Sequence, residues 1–556
     1  MTLSRRSFLS GSSALGVGLL AACEGGRVVA PGALPAAPRD FEPEHLPPPS
    51  PELHLLKRAT WGATPDAMAE LRSLGAAAWI ERQLNPGQID DSAVEKELAE
   101  RWTSLSQSAC ELDQQQDEPR IMRELREATL FRRVFSQRQL YEVMVDFWTD
   151  HFNVFHGDGL ARHNKTAEDR DVIRSHALGE FRDMLHASAR SPAMLHYLDN
   201  ASSTKDKPNE NYARELLELH TLGVDGGYTE NDVKEVARAF TGWKVRFDRS
   251  DTLCLNGRHN SFWVNAQHDL GEKVVLGHRL PAGRRGEEDG AEVLDILVDH
   301  PSTRRFLALK LCRRLVADQP PAGLVDRVAG RWGEHGDIRA MLREILLSTE
   351  FAAATDAKLA RPQEFAIATV RALAPEMDTD TSLQDLLRSS GLIDLVNAQA
   401  LNRRDNIDSI DLGDLPDTDM TPSYEGPSTS GVLTATAHVP FQWPAPDGFP
   451  DLETYWASAA GLLERWKFAL AAAGQQRDGQ NNARHLSGDA ASATAICDAL
   501  SAHLLQRELA ASDREAMIVL AAGGHGVDEP LPEGRRNVVS RQLMAMLLIS
   551  PYMQRR

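Results

Sequence analysis

Cysteine, long apolar runs and basic charge are all scarce in this chain of 556 residues. The five cysteines, Cys23, Cys110, Cys254, Cys312 and Cys497, are widely spaced and form no C-x-x-C, so a zinc knuckle or a thioredoxin-like redox site is excluded. Cys312 sits in the apolar pattern Phe306, Leu307, Leu309, Leu311, Leu315 and is expected to pack as a small hydrophobe. The apolar stretch from Phe8 to Ala22 falls short of the roughly 20 residues that cross a bilayer as a helix. A formal net charge of -19 argues against nucleic acid as a partner, because neutralising phosphates takes basic residues. Rossmann G-x-G-x-x-G, P-loop and G-x-S-x-G patterns are missing too, which removes the main support for nucleotide binding and for the common esterases. What remains is ordinary globular composition, 42% hydrophobic and 25% charged.

The N-terminus carries an address. Ser4-Arg5-Arg6-Ser7-Phe8-Leu9 places Arg5 and Arg6 before a charge-free stretch rich in Gly, Ala, Ser and Leu. That is the layout of a twin-arginine signal peptide over 1–22, used for proteins exported already folded. Leu20-Ala21-Ala22-Cys23 resembles a lipobox, so Cys23 is expected to be acylated and to hold the chain at the periplasmic side of the cell envelope. Glu24 stands where an inner-membrane retention signal would have Asp, which favours the outer membrane. The translocase is then a partner in export and the membrane a partner through lipid. Residues 23–51 are rich in Pro, Ala and Gly and read as an extended tether.

From about 52 to 556 the chain reads as one large, mainly α body with a few short strands. Thr64-Pro65 gives an N-cap with proline at the first helical position. Helical spacing marks Ala77–Leu84, Ala93–Leu105, Arg120–Phe135, Arg138–Phe152, Ala167–Leu178, Phe181–Ser188, Glu210–Leu222, Asn231–Thr241, Gly290–Leu297, Ser302–Val316, Ile338–Leu347, Pro362–Leu373 and Thr454–Ala473. Strand signals are confined to Trp243–Phe247 and Lys273–Leu276, which could pair with each other. Residues 402–431, with Asp at every third position from Asp405 to Asp417, read as a solvated insertion.

Polar groups concentrate over residues 146–278. Phe147 and Trp148 precede His151 by four and three positions, so one helix face carries all three, and burial there would favour the neutral, ligand-competent imidazole. On the helix after Pro208, Asn211, Glu215 and Glu218 share one stripe, while Arg214 lies four residues from both Glu210 and Glu218 and can pair with them. On a straight helix His220 points about 140° away from Glu215, so a joint site needs a partner element. H-E-x-x-H is absent, so a divalent metal on His151 and Glu215 is an expectation with no motif behind it. Thr229 with Asp232 resembles a capping box, and Val233, Val236, Ala237 and Phe240 form the buried stripe of the helix it opens.

The runs PNENYARELLELHTLGVDGGYT and DVKEVARAFTGW, with HLLKRATWGATPDAMAELRSLGAAAWIERQL, DFWTDHFNV, HALGEFRDML, SPAMLHYLDN, HDLGEKVVLG, HPSTRRFLALKLCRRLV and WPAPDGFPDLETYWASAAGLLERW, resemble the bacterial domain-of-unknown-function 1800 (DUF1800) family. The resemblance covers most of the chain from Leu53 onward. It implies a largely helical, commonly exported protein, and a companion resembling alkaline phosphatases and sulfatases. It implies no activity. The motif positions it marks are Trp148, His151, Asn153, His176, Asn209, Glu210, Asn211, Arg214, Glu215, Glu218, His220, His268 and Asp269. Two functions are open at this point. One is a hydrolase using Glu215 or Glu218 as general base with His151 or His220 as acid or metal ligand. The other is a lipid-tethered scaffold whose polar signature serves folding.

Overall fold

The computed structural model describes residues 46–114, 117–157, 164–245, 261–373, 436, 438–474, 476–477 and 480–556. The signal segment with Arg5 and Arg6, Cys23, most of the tether and the 402–431 insertion lie outside them. Helix accounts for 65% of the structure, as the spacing of apolar residues predicts. Contacts within the chain gather into two compact units: Ser50–Lys358 with Pro440–Tyr455 and Arg556, and a second one holding Leu359–Val439 and Trp456–Arg555.

The first unit begins at a helix over Pro51–Ala59, where the Ser50 side chain accepts from the Leu53 N–H and proline opens the first turn. The first helix therefore opens at Pro51, next to the expected start of the body at about 52. Thr64 caps Pro65–Leu74, and Thr229 and Asp232 form a capping box at the start of Glu230–Ala239. Val233, Val236, Ala237 and Phe240 are buried as the pattern requires, and Cys312 is a buried free thiol. One apolar core runs through this unit from Leu53 to Phe351.

The strands differ from expectation. Trp243–Val245 and Lys273–Val275 do not pair with each other: the first pairs antiparallel with Ser261–Trp263 and the second with His278–Leu280. Each finds its partner a short way along the chain, where closing the loop costs least. Two expected helices are also interrupted. Lys165–Glu168 continues into a π turn over Asp169–Arg174, and Glu210–Glu215 continues into another over Leu216–Thr221. A π turn bonds i to i+5, so residues five apart come together. Asp169 accepts from Arg174 at 2.8 Å, and the Leu222 N–H donates to the Leu217 carbonyl at 2.9 Å. Gly223 ends the second π turn at φ +83°, against the Phe306 ring, where a Cβ would lie 2.9 Å from that ring.

Charges are buried in matched sets. Asp146 accepts from Arg133 at 2.8 Å and from Arg314 at 2.9 Å, with both arginine side chains 3% exposed. Arg174 also reaches Glu142 at 2.9 Å. In the second unit, Glu533–Ile549 is the central helix, packed by Ala459–Gly474, Asn482–Ser487, Ala493–Leu504 and Ala511–Ala522. There Arg465, fully buried, donates to Gln554 at 2.7 Å.

Removing one member of a buried ion set strands the others. Asp146→Ala removes the carboxylate that two buried guanidinium groups share and is expected to destabilise the fold by about 3–5 kcal/mol. Denaturant unfolding followed by circular dichroism measures this, and a loss below about 1 kcal/mol would show that water reaches the arginines.

Candidate functional site

The helix Gln139–His151 ends with His151 pointing into the protein. Phe147 stacks on the imidazole with ring centroids 6.3 Å apart, and Trp148 meets it edge-on at 5.4 Å, so the face deduced from the i, i+3, i+4 spacing is real. His151 is 1% exposed. Its Nε2–H donates to the His220 carbonyl at 3.1 Å. That bond leaves Nδ1 as the acceptor, and Lys310 Nζ donates to it at 3.0 Å. The ring thus joins three segments: the 139–151 helix, the π turn over 216–221 and the helix Pro301–Leu315.

Burial holds His151 well below its usual pKa, and the Lys310 ammonium pushes it further down. His220, also 1% exposed, is lowered to about 3, first by burial and then by Lys310. Lys310 is itself lowered to about 8 by burial, although Asp150, Asp447 and Asp451 pull the other way. A lysine at that value gives and takes a proton near neutral pH.

Asp447 and Asp451 come from the returning segment Pro440–Tyr455 of the same unit. Asn153 holds that segment: its amide Nδ2 donates to the Trp443 carbonyl at 2.9 Å and to the Ala445 carbonyl at 2.6 Å. The Tyr197 hydroxyl donates to the Pro444 carbonyl at 2.7 Å. Gly448 adopts φ +71° and lies against the Asp150 backbone, where a Cβ would collide with the carbonyl. Asp447 is exposed and accepts from the Trp443 indole N–H at 2.7 Å.

Glu215 faces this segment. It is partly buried, no side chain donates to it among the described residues, and its pKa is raised by burial, then by Glu218 and Asp447, against the lowering pull of Arg214. Glu218 and Glu210 each lie 3.6 Å from Arg214, as the spacing predicts, but the strongest partner of Arg214 is Glu230, bound through both nitrogens at 2.9 Å. Asn209 caps the helix by accepting from the Asn211 N–H at 2.9 Å, and Asn211 is exposed.

The structure therefore gathers His151, Asn153, Glu215, Glu218 and His220, and leaves other marked positions elsewhere. Trp148 is core, its indole donating to the Ala177 carbonyl at 3.0 Å. The His176 ring bonds within its own helix, to the Val172 carbonyl at 2.7 Å. His268 belongs to a buried cluster in which Asp289 accepts from Lys273 at 2.8 Å. Asp269 pairs with Arg238 at 2.7 Å, which draws its pKa to about 2. The metal expectation on His151 and Glu215 does not fit, because both His151 nitrogens are engaged. Among the described residues, no group of three or more His, Cys, Asp or Glu side chains is placed to hold a metal ion. Lys310, Asp150, Asp447 and Asp451 were missed from sequence. The available signal was a lone lysine inside the apolar run Leu307 to Leu311 and the Pro-Asp-Gly of 446–448.

Two outcomes follow from this geometry. Histidines whose pKa is lowered by folding stay neutral while the unfolded chain takes up protons below about 6.5. Stability is then fully present above about pH 6.5, falls as pH drops toward about 3, and rises with pH throughout that window. His220→Gln should flatten this slope in thermal melts between pH 4 and 7 while leaving its backbone carbonyl to His151, and an unchanged slope would count against a buried neutral ring. Asn153→Asp should release the 440–455 segment by setting a carboxylate against two carbonyls, seen as new cleavage there in limited proteolysis.

The sequence profile of the family described as Protein of unknown function (DUF1800) matches residues 54–555. No curated protein and no solved structure matches the chain. With almost the whole described body inside that match, the chain belongs to the DUF1800 family.

Proposed function

We propose that this protein is a lipid-anchored hydrolase of the cell envelope that works by acid–base catalysis with Lys310 and Glu215. The carrying observation is the Lys310–His151 bond at 3.0 Å, which orients an amine of lowered pKa, while Glu215 is a carboxylate of raised pKa and Asp447 acts on both. Such opposed shifts mark acid–base pairs. Glu215, on which no side chain donates among the described residues, can take a proton from water. The Lys310 ammonium can stabilise the oxyanion that forms and protonate the leaving group. His151 and His220 are then positioning residues: both are too deeply buried to meet substrate, and they fix where Lys310 points. This replaces the metal-assisted route, for which no donor set is in place among the described residues.

Export and anchoring rest on Arg5, Arg6 and the lipobox at Cys23. A charge-conserving Arg5→Lys, Arg6→Lys pair should leave the protein inside the cell. Cys23→Ser should move it from the membrane to the soluble exported fraction, and continued membrane association would overturn lipid anchoring.

A second reading is a non-catalytic scaffold for an exported companion of alkaline-phosphatase or sulfatase type. The Arg214 network favours it, since it ties Glu210, Glu218 and Glu230 together at the surface in the way a purely structural face would. Turnover separates the two. On a panel of chromogenic esters, amides and glycosides, Lys310→Met and Glu215→Gln should each lower kcat at least a hundredfold with little change in melting temperature. The rate should fall above about pH 8 as Lys310 loses its proton, and Lys310→Met should remove that limb. Absence of turnover across the panel, or losses that track unfolding, would favour the scaffold.

A further inference from the structure

The second unit buries a positive charge at Arg465, on the helix Ala459–Gly474, whose side chain is 0% exposed. One of its nitrogens is settled: Nη1 donates to Gln554 Oε1 at 2.7 Å. Phe365, on the helix Pro362–Leu373, has its ring centre 5.9 Å from the guanidinium carbon. Arg465 Nε and Nη2 have no hydrogen-bond partner among the described residues, and neither has the amide nitrogen of Gln554, itself buried. All three atoms are donors that accept nothing.

Glu364 is the carboxylate that acts on Arg465, but its oxygens are taken by Arg361. Oε2 accepts from the Arg361 backbone N–H at 2.8 Å and Oε1 from Arg361 Nε at 3.2 Å. Arg361 and Glu364 are both buried and form an ion pair, so Arg465 is the surplus charge of the three. Burial draws its pKa down to about 10, against the pull of Glu364, which leaves it protonated at neutral pH.

Charge, geometry and access narrow what can answer this group. A guanidinium without a counter-ion in the interior costs several kcal/mol, and a neutral acceptor such as water brings hydrogen bonds without charge. Nε–H and one Nη2–H lie parallel along one edge of a rigid planar fork, so covalent geometry alone aims two of the donors at one point. Full burial bars any group tethered to a partner or a substrate, so the occupant is small and is enclosed as the chain folds. Sulfate or phosphate would bring two charges to a surplus of one. We propose that the second unit encloses a single chloride ion on the Nε, Nη2 edge of Arg465, as a structural ligand beside the contact that joins Ala459–Gly474 to the C-terminal turn Pro551–Gln554.

The test is stability of the full chain in sodium chloride, bromide and gluconate at one ionic strength and pH. An ion that binds only the folded form stabilises it with the logarithm of its concentration. Replacing gluconate by about 0.1 M chloride should therefore raise the melting temperature by about 3 °C or more, and bromide should act alike. Gluconate has the same charge and is too bulky to be enclosed, so it reports screening alone. Gln554→Glu sets a carboxylate on Nη1 and supplies the charge from within; it should melt in gluconate at least as high as the parent does in chloride, with no further response to chloride. Arg465→Met should lose the response too, and if it does not fold, Gln554→Glu and bromide still decide. Crystals grown in bromide should show an anomalous peak within hydrogen-bond distance of Nε and Nη2. Equal melting in chloride and gluconate, a chloride response that survives Gln554→Glu, or bromide crystals with no peak on the guanidinium would each overturn the proposal.

Discussion

His151 is the hinge on which the site is built. One neutral imidazole spends its Nε2–H on the carbonyl of His220 and its Nδ1 lone pair on Lys310, while its faces are taken up by aromatic rings. A protonated ring would have no lone pair for Lys310 and would set two cations about 3 Å apart in a place with little water, so the arrangement exists only while His151 is neutral. The low pKa that burial imposes is therefore a condition of the geometry as well as a result of it. Lys310 benefits in turn: bound to a neutral acceptor and desolvated, it sits near pH 8 instead of far above it.

The second constraint is the return of residues 440–455. Asn153 reaches the Trp443 carbonyl across 290 residues of sequence, and long-range closure of that kind is costly before contacts reward it. It is compensated by several bonds made at once, through Asn153, Tyr197 and the close seat of Gly448 on Asp150. Glycine is required at that seat for two independent reasons, its positive φ and the absence of room for a Cβ. Without the return, Glu215 would face solvent alone and its pKa would lose the contribution of Asp447.

Features governed by neighbouring residues were legible in the sequence. Helix starts at Thr64 and Thr229 were readable because a cap is settled within three positions, and the Phe147, Trp148, His151 face because it needs only helical spacing. The Arg214 pairs with Glu210 and Glu218 followed for the same reason, whereas Glu230, sixteen residues on, did not. The π turns were invisible, since hydrophobic spacing over one turn does not distinguish i+4 from i+5 bonding. That is why the phase assigned to His220 relative to Glu215 on a straight helix is not the one the chain adopts. Lys310 was hidden by its setting: a lysine among leucines reads as a solvated edge of a helix until the partner 159 residues away is known. His268 and Asp269 carried the right residue types, but their charges are matched by Asp289, Lys273 and Arg238 in a cluster of their own.

That contrast separates the matched polar groups of this protein from the unmatched ones. Asp146, Asp169, Asp269 and Asp289 are each met by cationic partners, and a carboxylate so satisfied has nothing left to offer a substrate. Glu215 has the same chemistry and different circumstances: partial burial, Glu218 and Asp447 outweighing Arg214, and no side-chain donor among the described residues. Holding such a group costs stability, because like charges raise the energy of its ionised form. Natural folds tolerate costs of this kind where function needs them. The three tight attachments of the 440–455 segment hold Asp447 within electrostatic reach of Glu215 despite that repulsion, so its cost is borne by the backbone around the site.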